Sequence, residues 1–418
     1  MHFEVESTMK KKLLNFLSAT IVLLCGINVN AADFSVQGLF FSVVSPGDLT
    51  CKVVKGESLY AGDIVVPGSV SHDGKTYKVV AVDEKAFSDC IGLTSVSVPA
   101  SVEKIGDNAF LGCKALARVS IEDGESTLTL GSNDKKKGLF NGCPLKSLHL
   151  GRNISYTADK AHGYSPCLDI TSLKEVTFGD KVTTIGRSLL CGCTGLKAIV
   201  FPERLESIED LAFQECSGLV DVKIPNQVTK IGDLAFQGCT GMTTLVVGDA
   251  VKLIGGYSFS NCEALTTVTI GAGIDSIADE AFSNCKNITK VTALNPVACR
   301  TSIVDMRYVF DDNAYANATL FVPKGSLDSY KKQFGWKQFD HMQELDPQSS
   351  VEQVLEQEIA IEACNGNLTI GALAANAQVE IFTLDGKVAY RGNEAVIALP
   401  TQAIYIVKTM GKVFKVAL

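Results

Sequence analysis

Nine times along this chain an aromatic or large aliphatic residue stands three positions before a cysteine, at Cys90, Cys113, Cys143, Cys167, Cys193, Cys216, Cys239, Cys262 and Cys285. Five of the eight intervals are 23 residues long and the others are 30, 24 and 26. A fixed period of this size means a stack of similar coils, because one such unit cannot bury its apolar face alone. The repeat therefore constrains the fold before any local motif is read. It also points to a protein that presents a surface rather than a catalytic pocket.

The clearest copy runs Ala212-Phe213-x-x-Cys216-x-x-Leu219-x-x-Val222-x-Ile224-Pro225, then Val228-x-x-Ile231-Gly232. Val222 and Ile224 alternate with polar residues, the pattern of a short strand with one buried face. Pro225 ends that strand, since it cannot donate to a ladder, and Gly232 is expected to permit a tight corner. The frame recurs at Leu93/Val96/Val98, Leu116/Val119/Ile121, Leu196/Ile199/Phe201, Met242/Leu245/Val247 and Leu265/Val268/Ile270. The expected fold is a right-handed leucine-rich-repeat solenoid with a parallel β-sheet, poor in helix, followed by a small all-β sandwich. The nine cysteines then form a ladder inside the stack. Their side chains point in parallel and their number is odd, so free structural thiols are expected rather than disulfides.

With 38 basic and 46 acidic residues the 418-residue chain carries a net charge of −8. No basic block follows the N-terminus, which argues against a nucleic-acid partner. Lys10-Lys11-Lys12 precede the apolar run Leu13 to Leu24, and Val29-Asn30-Ala31 offers a cleavage site. Residues 1–31 therefore read as a secretory signal peptide, with Met9 as an alternative start. No later stretch is long enough to span a bilayer as a helix. An exported protein follows, at the cell surface or outer membrane, extracellular or periplasmic.

Residues 32–78 read as an N-terminal β cap, with His72-Asp73-Gly74-Lys75 as a hairpin turn. Residues 79–293 hold about nine coils and 294–343 a C-terminal cap sealed by Trp336, the only tryptophan. Lys135-Lys136-Lys137 lie in an insertion, and residues 152–166 form a second irregular stretch. Residues 344–358 are an acidic, glutamine-rich linker, and 359–418 form the terminal β domain, with Leu384-Asp385-Gly386-Lys387 as a hairpin signal.

Catalytic sets are absent from the sequence. There is no His-Glu-x-x-His, no Gly-x-Ser-x-Gly and no phosphate-cradling glycine loop. Cys191-Gly192-Cys193 is at most half a metal site, so neither metal nor cofactor is expected. The alternative is a hydrolase in the 122–166 region, where Cys143, Cys167, His149 and His162 lie close in sequence. What remains is the outward strand face, rich in Ser, Thr and Lys and without aromatic residues over the nine coils. On it Arg118, Lys146, Lys174 and Lys197, with His149 beside them, are the candidate protein-binding residues, expected to form a positive stripe at one height. The protein is expected to be a monomer.

Ile105-Gly106-Asp107-Asn108-Ala109-Phe110-Leu111-Gly112-Cys113, the lead-in Gly62-Asp63-Ile64-Val65-Val66-Pro67 and the exit Phe321-Val322-Pro323-Lys324-Gly325-Ser326 resemble the BspA-like leucine-rich-repeat family. That resemblance implies a surface protein that adheres to host matrix proteins or to other bacteria, with no catalytic residue. The last 60 residues resemble type IX secretion sorting domains through Asn367-Leu368-Thr369-Ile370 and Ile404-Tyr405-Ile406-Val407-Lys408. Ala363-Cys364-Asn365-Gly366 stands where a Pro-Asn-Pro often opens that domain.

Overall fold

Successive coils lay their strands side by side, because alternating apolar residues such as Val222 and Ile224 turn inward and their neighbours Asp221 and Lys223 turn to solvent. The computed structural model describes residues 32–132, 138–156, 165–301 and 308–345, and strands of the carboxy-terminal stretch between Ile361 and Ala417. The signal peptide, the Lys135-Lys136-Lys137 loop, Tyr164 and residues 346–358 of the linker lie outside the described residues, while Glu344 ends a strand. One compact unit ends at Glu344 and a second begins at Leu345.

The front sheet of the first unit is parallel throughout and comes in two pieces. Glu175–Phe178, Ser147–Leu150, Arg118–Ile121, Gly92–Val98 and Ala61–Val65 form the first. Asp221–Lys223, Thr244–Val247, Thr267–Ile270, Lys290–Ala293, Thr319–Val322 and His341–Glu344 form the second. Parallel pairing thus runs on through the segment read as a cap. The expected strand at Ile199 and Phe201 does not form. Residues 196–202 hold no strand, and the sheet is interrupted there.

A back sheet of two- and three-residue strands closes each coil, from Lys104–Ile105 to Ile154–Ser155 and again from Thr184–Ile185 to Arg300–Thr301. Asn153 bridges its interruption, accepting from the backbone N–H groups of Thr183 and Thr184 and donating to the Thr183 hydroxyl. The amino-terminal end is covered by antiparallel strands Phe34–Val36, Leu39–Ser45 and Thr50–Val54. The predicted turn joins Ser69–His72 to Lys75–Val82, with Asp73 and Gly74 both left-handed as such a hairpin requires. At the other end Trp336 is buried and donates to the Cys299 carbonyl.

Inside the stack the rings of Phe213, Phe236, Phe259, Phe282 and Phe310 lie face to face, with centroids 4.9–5.2 Å apart. Phe87, Phe110 and Phe140 make a shorter stack, and Leu190 occupies the equivalent place between the two. All nine ladder cysteines are buried free thiols. Seven of the Sγ atoms turn to a carbonyl of the preceding coil, among them Cys113 donating to Phe87, Cys216 to Leu190, Cys239 to Phe213 and Cys285 to Phe259, at 3.0–3.3 Å. A thiol thus satisfies an acceptor that a Val or Ala would leave bare.

Where a glycine follows a back strand, as at Gly106, Gly131, Gly232 and Gly255, it acts by closeness, not by torsion. A Cβ on Gly232 would sit 2.4 Å from the Asp210 backbone nitrogen, while its φ lies outside the left-handed region. The corner torsion falls instead on the residue just before the cysteine, which is left-handed at Asp89, Gly112, Gly142, Gly192, Glu215, Gly238, Asn261 and Asn284. Glu215, at φ 59°, holds this conformation with a long side chain where four other coils use glycine. Glu215→Gly should therefore stabilise the solenoid by about 1 kcal/mol. Urea midpoints of the two proteins check this, and a lower midpoint would refute it.

The second unit consists of two antiparallel sheets. Ile361–Cys364, Asn367–Ile370 and Val396–Ala398 form one, and Val388–Gly392, Val379–Thr383, Ile404–Thr409 and Lys412–Ala417 the other. Leu368, Ile397, Val379, Ile381 and Val407 are buried among its described residues.

Candidate binding face

The residue before each front strand is tied to its counterpart in the preceding coil by one backbone hydrogen bond. Lys146 donates to Ala117 and Lys174 to Lys146, at 2.8 and 2.9 Å. The series resumes with Val220 to Lys197, Thr243 to Val220 and Thr266 to Thr243. Lys146, Lys174 and Lys197 therefore occupy the same place in three successive coils. All three are exposed and none has an ion pair among the described residues.

Arg118 does not belong to that row. Its register partners are Ser95 and Ser147, one residue further along the strands. Its guanidinium lies 3.3 Å from Asp63, whose carboxylate also accepts from Thr94 and Ser95 at 2.6 Å. The hydroxyls of Ser95 and Thr94, followed by the Arg118 charge, hold the Asp63 carboxyl below its usual range. The positive stripe thus comprises three lysines, with Arg118 partnered beside it.

His149 sits in the row Ser120–His149–Thr177. Nδ1 is 2.9 Å from the Thr177 hydroxyl and Nε2 is 3.2 Å from the Asp123 carboxylate. Asp123 and Thr177 escape a sequence reading because they lie 26 and 28 residues away, one coil to each side. The hydrolase alternative is not assembled among the described residues. His149 projects outward between inward-pointing Leu148 and Leu150, whereas Cys143 and Cys167 are buried in the stack. Cys143 donates to the Phe110 carbonyl and burial pushes its thiol up to about 12, the wrong direction for a nucleophile. His162 lies outside the described residues. Cys191 contacts Gln214 and Cys193 the Cys167 carbonyl, and burial pushes both thiols up to about 12. No cluster of His, Cys, Asp or Glu able to hold a metal occurs among the described residues. Nor is any of their helices long and apolar enough to cross a membrane.

At the interruption of the sheet lies a cleft of about 550 Å³ between residues 177–180 and 200–204. Thr177 and Phe178 form one wall, and Val200, Phe201, Pro202 and Arg204 the other. Val200 is 77% exposed, the most open of the large apolar side chains described. No backbone hydrogen bond joins residues 198–201 to Glu175–Phe178 or to Asp221–Lys223. The local difference is bulk. Phe178 and Phe201 stand in adjacent coils at the inward place that other coils fill with Val98, Ile121, Leu150, Ile224, Val247 or Ile270. Phe201 turns edge-on to Phe213, and Phe178 stays half-buried. Both coils thus place a ring where their neighbours place a smaller aliphatic side chain, and strand pairing stops at this point. Beyond the nine coils the face does carry one aromatic, Phe321, capped by the Lys290 ammonium 5.3 Å from its centroid.

The chain is similar to several solved structures. One is a leucine-rich repeat protein from Bacteroides ovatus ATCC 8483, 19% identical, covering 75% of this chain and 100% of that one with a TM-score of 0.33. Another is a leucine rich cell surface protein from Faecalibacterium prausnitzii A2-165, 19% identical, over 76% and 95% of the two chains, TM-score 0.26. A third is the T. pallidum Leucine Rich Repeat protein, 24% identical, over 61% and 90%, TM-score 0.28. No curated protein matches the chain. The BspA type leucine rich repeat region matches in six copies over residues 80–169 and 164–289, just over half of the 418 residues. Those are the coils whose cysteine and phenylalanine ladders are described above, and the chain belongs to the BspA-type leucine-rich-repeat family.

Proposed function

We propose that this chain is an exported, non-enzymatic surface protein whose front sheet binds a protein partner, either a host matrix protein or the surface protein of another bacterium. The observation that carries the reading is the row of Lys146, Lys174 and Lys197. Three exposed ammonium groups, with no ion pair among the described residues, stand in adjacent coils of a chain with net charge −8. Such a row steers an acidic partner and acts on the association rate more than on affinity.

The test uses the solenoid immobilised as bait for solubilised matrix proteins and for bacterial surface protein. Replacing Lys146, Lys174 and Lys197 together by Glu should slow association of the captured partner about tenfold or more. The melting temperature should stay nearly unchanged, because exposed charges contribute little to stability. Binding that survives both the triple reversal and about 0.5 M salt would place the contact elsewhere.

A further inference from the structure

We infer that the cleft at the interrupted front sheet is a strand-acceptor site, which takes an extended polypeptide segment of the partner by backbone pairing. This deepens the binding function proposed above and rests on it. A sheet edge offers a row of unpaired N–H and C=O groups, a template for another strand. Here two such edges face a coil whose residues 198–201 pair with neither, although Lys197 just before them still accepts from the Val220 backbone N–H. Glu175–Phe178 ends one sheet, Asp221–Lys223 ends the other, and residues 198–201 between them carry no backbone hydrogen bond to either. Elsewhere in the described front sheet each strand between these two ends and the outermost strands is paired on both sides.

The shape and chemistry of the cleft select the occupant. From Lys174 to Phe178 the edge runs about 13 Å, room for four or five extended residues. A volume of about 550 Å³ lies in the range of sites that hold a small ligand or a short peptide. Phe178, Val200 and Pro202 offer apolar contact to alternate side chains, while the Thr177 hydroxyl, held by His149, offers a polar one. Lys174 and Lys197 lie three residues upstream of the cleft walls at Thr177 and Val200, whereas Asp180, Glu203 and Arg204 line its far end with mixed charge. The segment should therefore be apolar at every second position and acidic at the end that reaches the two lysines.

A labelled synthetic octapeptide, Asp-Glu-Thr-Val-Thr-Val-Thr-Ser, is a direct probe. Fluorescence anisotropy should show saturable binding, and N-methylating two alternate backbone amides should weaken it about tenfold or more. Hydrogen exchange should slow at the amides of residues 175–178 and 198–201. A Phe178→Val, Phe201→Ile protein, in which the coils can close, should lose the peptide while melting no lower than the parent. Equal binding of the methylated and unmethylated peptides would overturn strand pairing even if charge reversal of the lysines still abolished capture of the natural partner. Peptide binding that ignores the lysine reversal but not methylation would instead keep the strand site and remove the charged row. A concentration-dependent dimer, dissolved by Val200→Asp, would show a second copy of this chain in the cleft and overturn the partner assignment.

Discussion

Above about pH 9 the solenoid should unfold in a steep alkaline transition, without heat or denaturant. Burial pushes the thiols of Cys51 up to about 11 and of Cys143, Cys191, Cys193 and Cys299 up to about 12. It also raises Cys90, Cys113, Cys167, Cys216 and Cys239. Cys262 is raised first by its hydrogen bond to Cys285 and then by burial. An unfolded thiol titrates near 8.5. A group whose folded pKa lies above its unfolded one contributes its stability fully below the unfolded value and loses it as pH rises toward the folded value. Each such thiol lowers stability by about 1.4 kcal/mol per pH unit in that window, so eleven together give roughly 15 kcal/mol per unit. That slope equals the whole stability of an ordinary domain. Circular dichroism from pH 7 to about 11 should show the loss begin near 9 and finish within one to two units. A protein with Cys216, Cys239 and Cys262 changed to Ala has three fewer titrating groups, so its slope should fall by about 4 kcal/mol per unit. A signal flat to pH 11 would refute the account.

The same ladder explains how much of the fold was legible. A period of 23 residues with apolar alternation specifies coils, strand positions and an inward row of thiols, because each coil repeats one solution to the same packing problem. What the period hides is where the solution fails. Leu196-x-x-Ile199-x-Phe201-Pro202 has the same pattern as Leu219-x-x-Val222-x-Ile224-Pro225, yet only the second forms a strand. The difference is volume on neighbouring rungs, Phe178 beside Phe201, and it emerges only when coils are compared with each other. Partners across coils were equally hidden. Arg118 meets Asp63 55 residues away, and His149 meets residues 26 and 28 positions off. The height shared by Lys146, Lys174 and Lys197 follows from the repeat, whereas Arg118 sits one residue further along its strand and so falls outside their row.

The stretch from residue 152 onward reads as irregular, and the structure makes its first residue a tie across three coils. Arg152 is 1% exposed, the only charged side chain among the fully buried described residues. Nη1 donates to the Ala100 carbonyl at 2.9 Å and the Ser126 hydroxyl at 3.2 Å, and Nη2 to the Pro99 and Val102 carbonyls at 3.1 and 2.8 Å. Burial lowers its pKa, opposed by Glu122 and Glu103. The planar fork matches three carbonyls that leave the front sheet at the same corner, together with the hydroxyl of the 122–130 insertion. Arg152→Met keeps much of the volume but leaves those acceptors buried and bare, each at a cost of about 1–3 kcal/mol less what relaxation and water recover. The expected loss is about 4 kcal/mol, in the range of the most damaging single substitutions. Arg152→Lys should recover only part of it, since one ammonium cannot span positions that two nitrogens of a guanidinium occupy. Urea unfolding of the full chain measures both changes, and protease should cut first between residues 122 and 130 in the Met protein. If the Met protein unfolds within about 1 kcal/mol of the parent, water has replaced the guanidinium and the corner is held by its coils alone.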